Sequence, residues 1–199
     1  MNALELPAGE MPAIASETDR LVARCKAGEP NALAELYARW DRGVFRLAYW
    51  MLSDRDEADD VKQETFVRAF ETLARFEGRC SLQSWLYGIC GNLCRDRLRK
   101  RKSRQETRLD ESHIPSGAHN GDPILSLLEN EEITQIVAAL ESLSPEYRRL
   151  ILLREIEQMS YDEIRRAMGC SMASVKLRLF RARRQWRRRY EDLVGNEVV

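Results

Sequence analysis

The chain has 199 residues, enough for one ordinary domain or two small ones, and its 32 basic residues balance its 32 acidic ones. No apolar run approaches the roughly 20 residues that a membrane-spanning helix needs. Met1–Ser16 has neither the basic start nor the apolar centre of a secretory signal and reads as a short disordered lead. The expectation is therefore a cytoplasmic protein without membrane insertion.

The pattern along the chain is helical almost throughout, with no convincing period-two alternation. A first helix is expected over Glu17–Ala27, ending at Gly28. A second runs from about Asn31 to Leu52, with Leu33, Leu36, Tyr37, Trp40, Val44, Leu47 and Ala48 on one face, and Ser53-Asp54 breaks it. A third covers Asp56–Phe76, with Ala58, Val61, Phe66, Ala69, Phe70 and Leu73 among its apolar positions. Ser81 is placed to cap a fourth, from Leu82 to about Lys102, whose core stripe is Leu82, Trp85, Leu86, Ile89 and Leu93. Composition then shifts: Ser103–Glu129 holds Pro115, Gly117, Gly121 and Pro123 and reads as a linker.

Helical periodicity resumes near Glu129 and runs to Leu143. Ser144-Pro145 is a cap followed by proline at the first helical position, opening a helix to about Glu157. Ser160 and Glu163 have the spacing of a capping box; Gly169 ends that helix and Ser171 caps the last one. The fold class is all-α: two small helical domains joined by a flexible linker, the C-terminal one a helix-turn-helix. The expected limits are 17–103 and 129–190, with the linker at 104–128 and a tail at 191–199.

Charge is unevenly distributed. Lys176–Arg189 holds eight basic residues and no acid, and Arg95–Arg108 holds eight against Asp96 and Glu106. Two basic patches on a neutral chain suggest two contacts with a polyanion, unless each is simply a solvated helix face. In the last helix Val175, Leu179, Ala182 and Trp186 form one narrow stripe at 3.6 residues per turn. Lys176, Leu177, Phe180, Arg181, Arg184 and Arg188 lie opposite. A surface helix without a nucleic-acid role normally mixes Glu with its Lys and Arg for pairing at i,i+4. Unrelieved repulsion points to phosphate as the partner, with Arg able to read guanine edges and Phe180 a thymine methyl.

The fourth helix contains Gly88 and Gly91, each costing about 1 kcal/mol relative to Ala inside a helix. Something must come close there: a neighbouring helix, or nucleic acid beside Asn92. The third helix opens on Asp56, Glu57, Asp59, Asp60 and Glu64. Helix-dipole stabilisation, a divalent metal or a protein-docking face would each suit that cluster. The five cysteines, Cys25, Cys80, Cys90, Cys94 and Cys170, form no CxxC pair and read as reduced, small, semi-buried side chains. No metal or cofactor is expected. His113 and His119 fall in the linker.

Several strings taken in order resemble the sigma-70 family of RNA polymerase sigma factors, extracytoplasmic-function group. They are Asp56–Phe70, Phe76-Glu-Gly78, Ser84–Asn92, Leu143–Glu146, Met159–Ile164 and Val175–Arg183. The resemblance spans about Glu17–Arg189 and implies a non-enzymatic subunit that directs polymerase to promoters for a stress or signal response. It implies that Asp60, Gln63, Glu64, Phe66 and Phe70 dock on the β′ clamp helices of core RNA polymerase. Phe76, Ser81, Ser84, Trp85, Asn92, Arg95 and Arg99 would read and melt the −10 element. Ser174, Lys176, Leu177, Phe180, Arg181 and Arg184 would read the −35 element. Further implied partners are the polymerase β flap, promoter DNA and an anti-sigma factor. The alternative left open is a stand-alone helix-turn-helix regulator that binds duplex operators without polymerase.

Overall fold

The computed structural model describes residues 16–107 and 131–195. The lead before Ser16, most of the expected linker with its two histidines, and the tail beyond Gly195 lie outside the described residues. The N-terminal bundle consists of α1 (Glu17–Lys26), α2 (Ala32–Leu52), α3 (Arg55–Thr72) and α4 (Leu82–Thr107). The C-terminal bundle consists of α5 (Glu131–Glu141), α6 (Pro145–Ile151), α7 (Tyr161–Met168) and α8 (Met172–Gly195).

Local chemistry sets most boundaries. Ser16 and Asp19 form a capping box at the start of α1. Ser53 stops α2 in the left-handed conformation, and the Asp54 carboxylate accepts from the Glu57 amide at 2.9 Å to start α3. The third helix leaves α winding after Thr72, four residues before the expected helical end at Phe76, and tightens into a 3₁₀ turn at Leu73–Arg75. Ser81 caps α4 by accepting from the Ser84 amide at 3.2 Å. The fourth helix is longer than its pattern suggested, running through Thr107.

In the second bundle Ser144 and Pro145 open α6 as expected. Its continuation is not regular: Leu152–Ile156 form a π turn, closed by the Glu157 amide donating to the Leu152 carbonyl at 3.0 Å. Gln158, at φ 52°, then turns the chain into Ser160, whose capping box with Glu163 starts α7. Gly169 ends α7 at φ 63°, where only glycine sits without strain, and Ser171 accepts from the Ser174 amide to begin α8.

The N-terminal core gathers Leu36, Val44, Leu47, Met51, Val61, Phe66 and Leu86, all 2% exposed or less. Leu150, Leu153, Ile164, Val175, Leu179 and Ala182 do the same for the C-terminal one. The two cores are continuous, because α6 and α7 lean on α2 and α4. No described helix is long and apolar enough to cross a membrane.

Candidate nucleic-acid interface

Helix α8 is held from behind. Val175, Leu179 and Ala182 of the expected stripe are buried, and Trp186 is half-buried with its ring stacked on Tyr190 at 5.5 Å. Its outer face is open: Leu177 is 50% exposed and Phe180 64%. Lys176, Arg181 and Arg184 are exposed beside them and make no ion pair among the described residues. Ser174 is half-buried at the start of the same helix. Two other arginines of α8 are engaged: Arg178 pairs with Glu146, and Arg183 with Glu155 at 2.6 Å. The turn through Gly169 and Ser171 thus presents a face of cations and two apolar side chains, fitted to phosphates and base edges.

The second group lies on α4 and the loop before it. Phe76 is buried, its ring 5.0 Å from that of Trp85, while the Lys26 ammonium donates to the Phe76 carbonyl. Ser84 is fully buried, its hydroxyl 2.8 Å from that of Ser81. Asn92, Arg95 and Arg99 are exposed along one side of α4; Arg99 sits 3.5 Å from Asp96, within its own helix. The loop's Cys80 is half-buried; burial pushes its thiol pKa up, with Arg166 pulling the other way.

The third group lies on α3. Asp60 and Gln63 are exposed, Glu64 and Phe70 half-buried. Phe66 packs against the Tyr37 ring at 4.6 Å and is 2% exposed, so it supports this face from beneath rather than forming part of its surface. Val67, 55% exposed, belongs to the face; next to Phe66 in an apolar stretch, it gave no signal of exposure in the sequence. Much of the acidic cluster faces inward to arginines of α4. Arg101 pairs with Glu57 at 2.9 Å and Asp54 at 3.4 Å and donates to the Leu52 carbonyl at 2.9 Å. Arg97 reaches Glu64 at 3.4 Å and Asp60 at 3.9 Å. Asp59 accepts from Lys62 and Gln63, and the Lys62 bond draws its carboxyl pKa down. The basic run of α4 is therefore partly structural.

The cysteines and glycines of α4 also find their surroundings. Cys90 and Cys94 are fully buried free thiols; Cys90 donates to the Val44 carbonyl at 3.7 Å. The hydrogen bond with Cys90, together with burial, raises the Cys94 pKa. Gly91 lies under the guanidinium of Arg149, and Gly88 against the Ala167 carbonyl. A neighbouring helix pair thus fills the space these glycines leave.

Both units match known family models in this order: Sigma-70 region 2 over residues 36–104, and Sigma-70, region 4 over 133–185. The ECF RNA polymerase sigma-E factor of Salmonella typhimurium strain LT2 is 33% identical over 171 residues, covering 82% of this chain and 88% of its own length. The chain belongs to the ECF RNA polymerase sigma factors. The ECF RNA polymerase sigma factor SigE of Mycolicibacterium smegmatis is 33% identical over 144 residues, covering 72% of this chain; the match spans 56% of that longer relative. The fold agrees with the sigma factor RpoE solved in complex with the anti-sigma factor NepR from Bartonella quintana: TM-score 0.65 at 24% identity, covering 83% of this chain and 98% of that one. As a sigma factor the chain is a transcription-initiation protein and not an enzyme. The N-terminal bundle corresponds to region 2 and the C-terminal bundle to region 4.

Proposed function

We propose that this sigma factor carries core RNA polymerase to promoters read at two points. Region 4 takes the −35 element in duplex form, through Lys176, Leu177, Phe180 and Arg181 at the start of α8, with Arg184 on adjacent phosphate and Ser174 at the helix mouth. Region 2 takes the −10 element, with Asn92 reading a base, Arg95 and Arg99 on the backbone, and the loop Phe76–Ser84 beside Trp85 receiving an unstacked base. The exposed side of α3, built on Asp60, Gln63, Glu64, Val67 and Phe70, docks on the β′ clamp helices, and region 4 also meets the β flap. The functional units run over about 17–103 and 129–190. The protein works in the cytoplasm, where an anti-sigma factor restrains it, as NepR binds RpoE in the related complex.

The observation that carries this reading is the outer face of α8. Two apolar side chains at least half exposed to water, flanked by unpaired cations, are unfavourable on a free surface and suited to a groove. Extruding a base from the −10 duplex costs a few kcal/mol, which phosphate contacts and a fitted pocket offset. Phosphoryl transfer belongs to the polymerase. The test is transcription by core polymerase on a promoter library with and without this protein. New, promoter-specific transcripts are expected; their absence would refute the proposal.

A further inference from the structure

The outer face of α8 has an order that its charge count hides. At 100° per residue, Ala173, Leu177, Phe180 and Arg184 fall within about 30° of one line, nearly opposite the inward stripe of Val175, Leu179, Ala182 and Trp186. Lys176 and Arg181 lie about 70° to either side of that line. The first two turns of the helix therefore project an apolar ridge with a cation on each flank. Phe180, 64% exposed, is the most exposed large apolar side chain among the described residues, and Leu177 is 50% exposed. Ala173, also exposed, carries the ridge back to the first turn of α8. Single exposed apolar residues are ordinary on a protein surface; three in one line between cations are not.

Phosphate does not suit this ridge. An apolar side chain laid over a phosphate strips its water and returns no hydrogen bond. Laid along the floor of the major groove, the same side chains meet base edges, while Lys176 and Arg181 come to the two sides, where phosphates and the outer base edges lie. Ala173, Leu177 and Phe180 have no side-chain donor or acceptor, so they are blind to the hydrogen-bonding pattern of the bases. What an apolar side chain detects in that groove is the C5-methyl group, which thymine carries. Leu177 and Phe180 are three residues apart, about 4.5 Å along the helix axis. That is a little more than one base-pair step of about 3.4 Å, so the two side chains address neighbouring base pairs. Both stand near the N-terminal end of α8, the part of a recognition helix that comes closest to the bases.

We infer that region 4 reads a C5-methyl group at two neighbouring −35 base pairs, through Leu177 and Phe180, and takes this methyl from thymine or 5-methylcytosine alike. The inference rests on the reading of α8 as the −35 reader and adds the chemical group that this helix selects. A cytosine methylated at C5 presents the same apolar bump at the same place on the ring. It differs from thymine at C4, where an amino donor replaces a carbonyl acceptor, and the ridge does not register that difference. Methylation of a cytosine at either position therefore raises promoter affinity without any change of base sequence.

The test uses the full chain bound to core polymerase. Transcription from a promoter library randomised around −35 gives the preferred sequence, which is expected to hold a thymine, on either strand, at two neighbouring base pairs. Each −35 thymine is then replaced by uracil, which lacks only the methyl, and by cytosine or 5-methylcytosine paired with guanine. Uracil at either ridge position should weaken promoter binding about fourfold, the factor that burying one methyl-sized group supplies. At the same positions 5-methylcytosine should bind about fourfold more tightly than cytosine. Leu177→Ala should remove the response to the methyl at one position and Phe180→Ala at its neighbour, while Leu177→Met, which keeps an apolar chain of similar volume, retains it. Both side chains are exposed, and thermal melting checks that each variant is folded.

Uracil tolerated at every −35 thymine, or a selected sequence without thymines at neighbouring base pairs, would overturn the methyl reading and leave −35 recognition standing. A methyl response that survives both alanine substitutions would overturn the assignment to the ridge. A library without any preference upstream of the −10 element would overturn the −35 reading itself, and the methyl reading with it.

Discussion

Helices α4 and α8 carry equally dense basic runs and differ in where the paired arginines lie. In α4, Arg97 and Arg101 turn back to the acids at the start of α3, so part of what looks like a DNA-binding charge is internal mortar of region 2. In α8, Lys176, Arg181 and Arg184 face outward with no ion pair among the described residues, and only Arg178 and Arg183 are spoken for. Charge along a chain gives the sum; the facing helix determines how much is left for an outside partner. Region 2 meets its own acids first. Region 4 also engages Arg178 and Arg183, with Glu146 and Glu155, but these lie off the outer face, where Lys176, Arg181 and Arg184 stay open to the groove.

That contrast can be broken most directly at Arg101. It is 27% exposed and serves two carboxylates and a backbone carbonyl, so Arg101→Ala should lower stability by about 1–3 kcal/mol. Urea unfolding measures this, and a loss below about 0.5 kcal/mol would place Arg101 among ordinary surface residues. Arg181→Ala should show the reverse profile. Stability should hold within about 0.5 kcal/mol, while discrimination for the preferred −35 sequence falls by about 1–3 kcal/mol if a guanine is contacted. An equal loss on scrambled −35 DNA would assign Arg181 to phosphate instead.

Arg184→Ala sharpens the comparison further. It should weaken promoter binding evenly across sequences and reduce the slope of log K against log salt by about 1. A change confined to one base position would refute that assignment. The smallest effect is expected at Cys94. Its raised pKa leaves less thiolate at a given pH than an ordinary cysteine has. Iodoacetamide at pH 8 should therefore label Cys94 slowly in the folded protein and quickly in urea, as followed by mass spectrometry. Fast labelling without denaturant would show that α4 opens locally.

The helical architecture was largely legible, because it is written in short-range signals. Ser81, Ser144, Ser160 and Ser171 each cap the helix that the pattern assigned to them, and Gly169 ends α7. The outer face of α8 was legible too, since helical spacing alone separates Val175 and Leu179 from Leu177 and Phe180. Contacts between distant segments were not. Arg148 and Arg149 look like surface residues of a short helix, and only the approach of α2 and α4 makes them buried. Phe66 and Phe70 look alike in sequence, yet one is core and the other lies at the edge of the surface. Gly88 and Gly91 lay between: their cost announced a close neighbour, but not which one.

The π turn at Leu152–Ile156 has a consequence for how this molecule tolerates deletion. A π turn takes up one residue more than an α turn, so it stores a spare residue inside a helix. Removing one residue there lets an α turn close in its place with the flanks kept in register, whereas removing one from the regular winding of α6 rotates everything downstream by about 100°. Glu157 would then swing away from Arg46 and Tyr87, and α8 would turn with it. The surplus residue is slack in the chain: a deletion that the π turn absorbs would, one turn earlier, turn the groove-facing side away from its bearing.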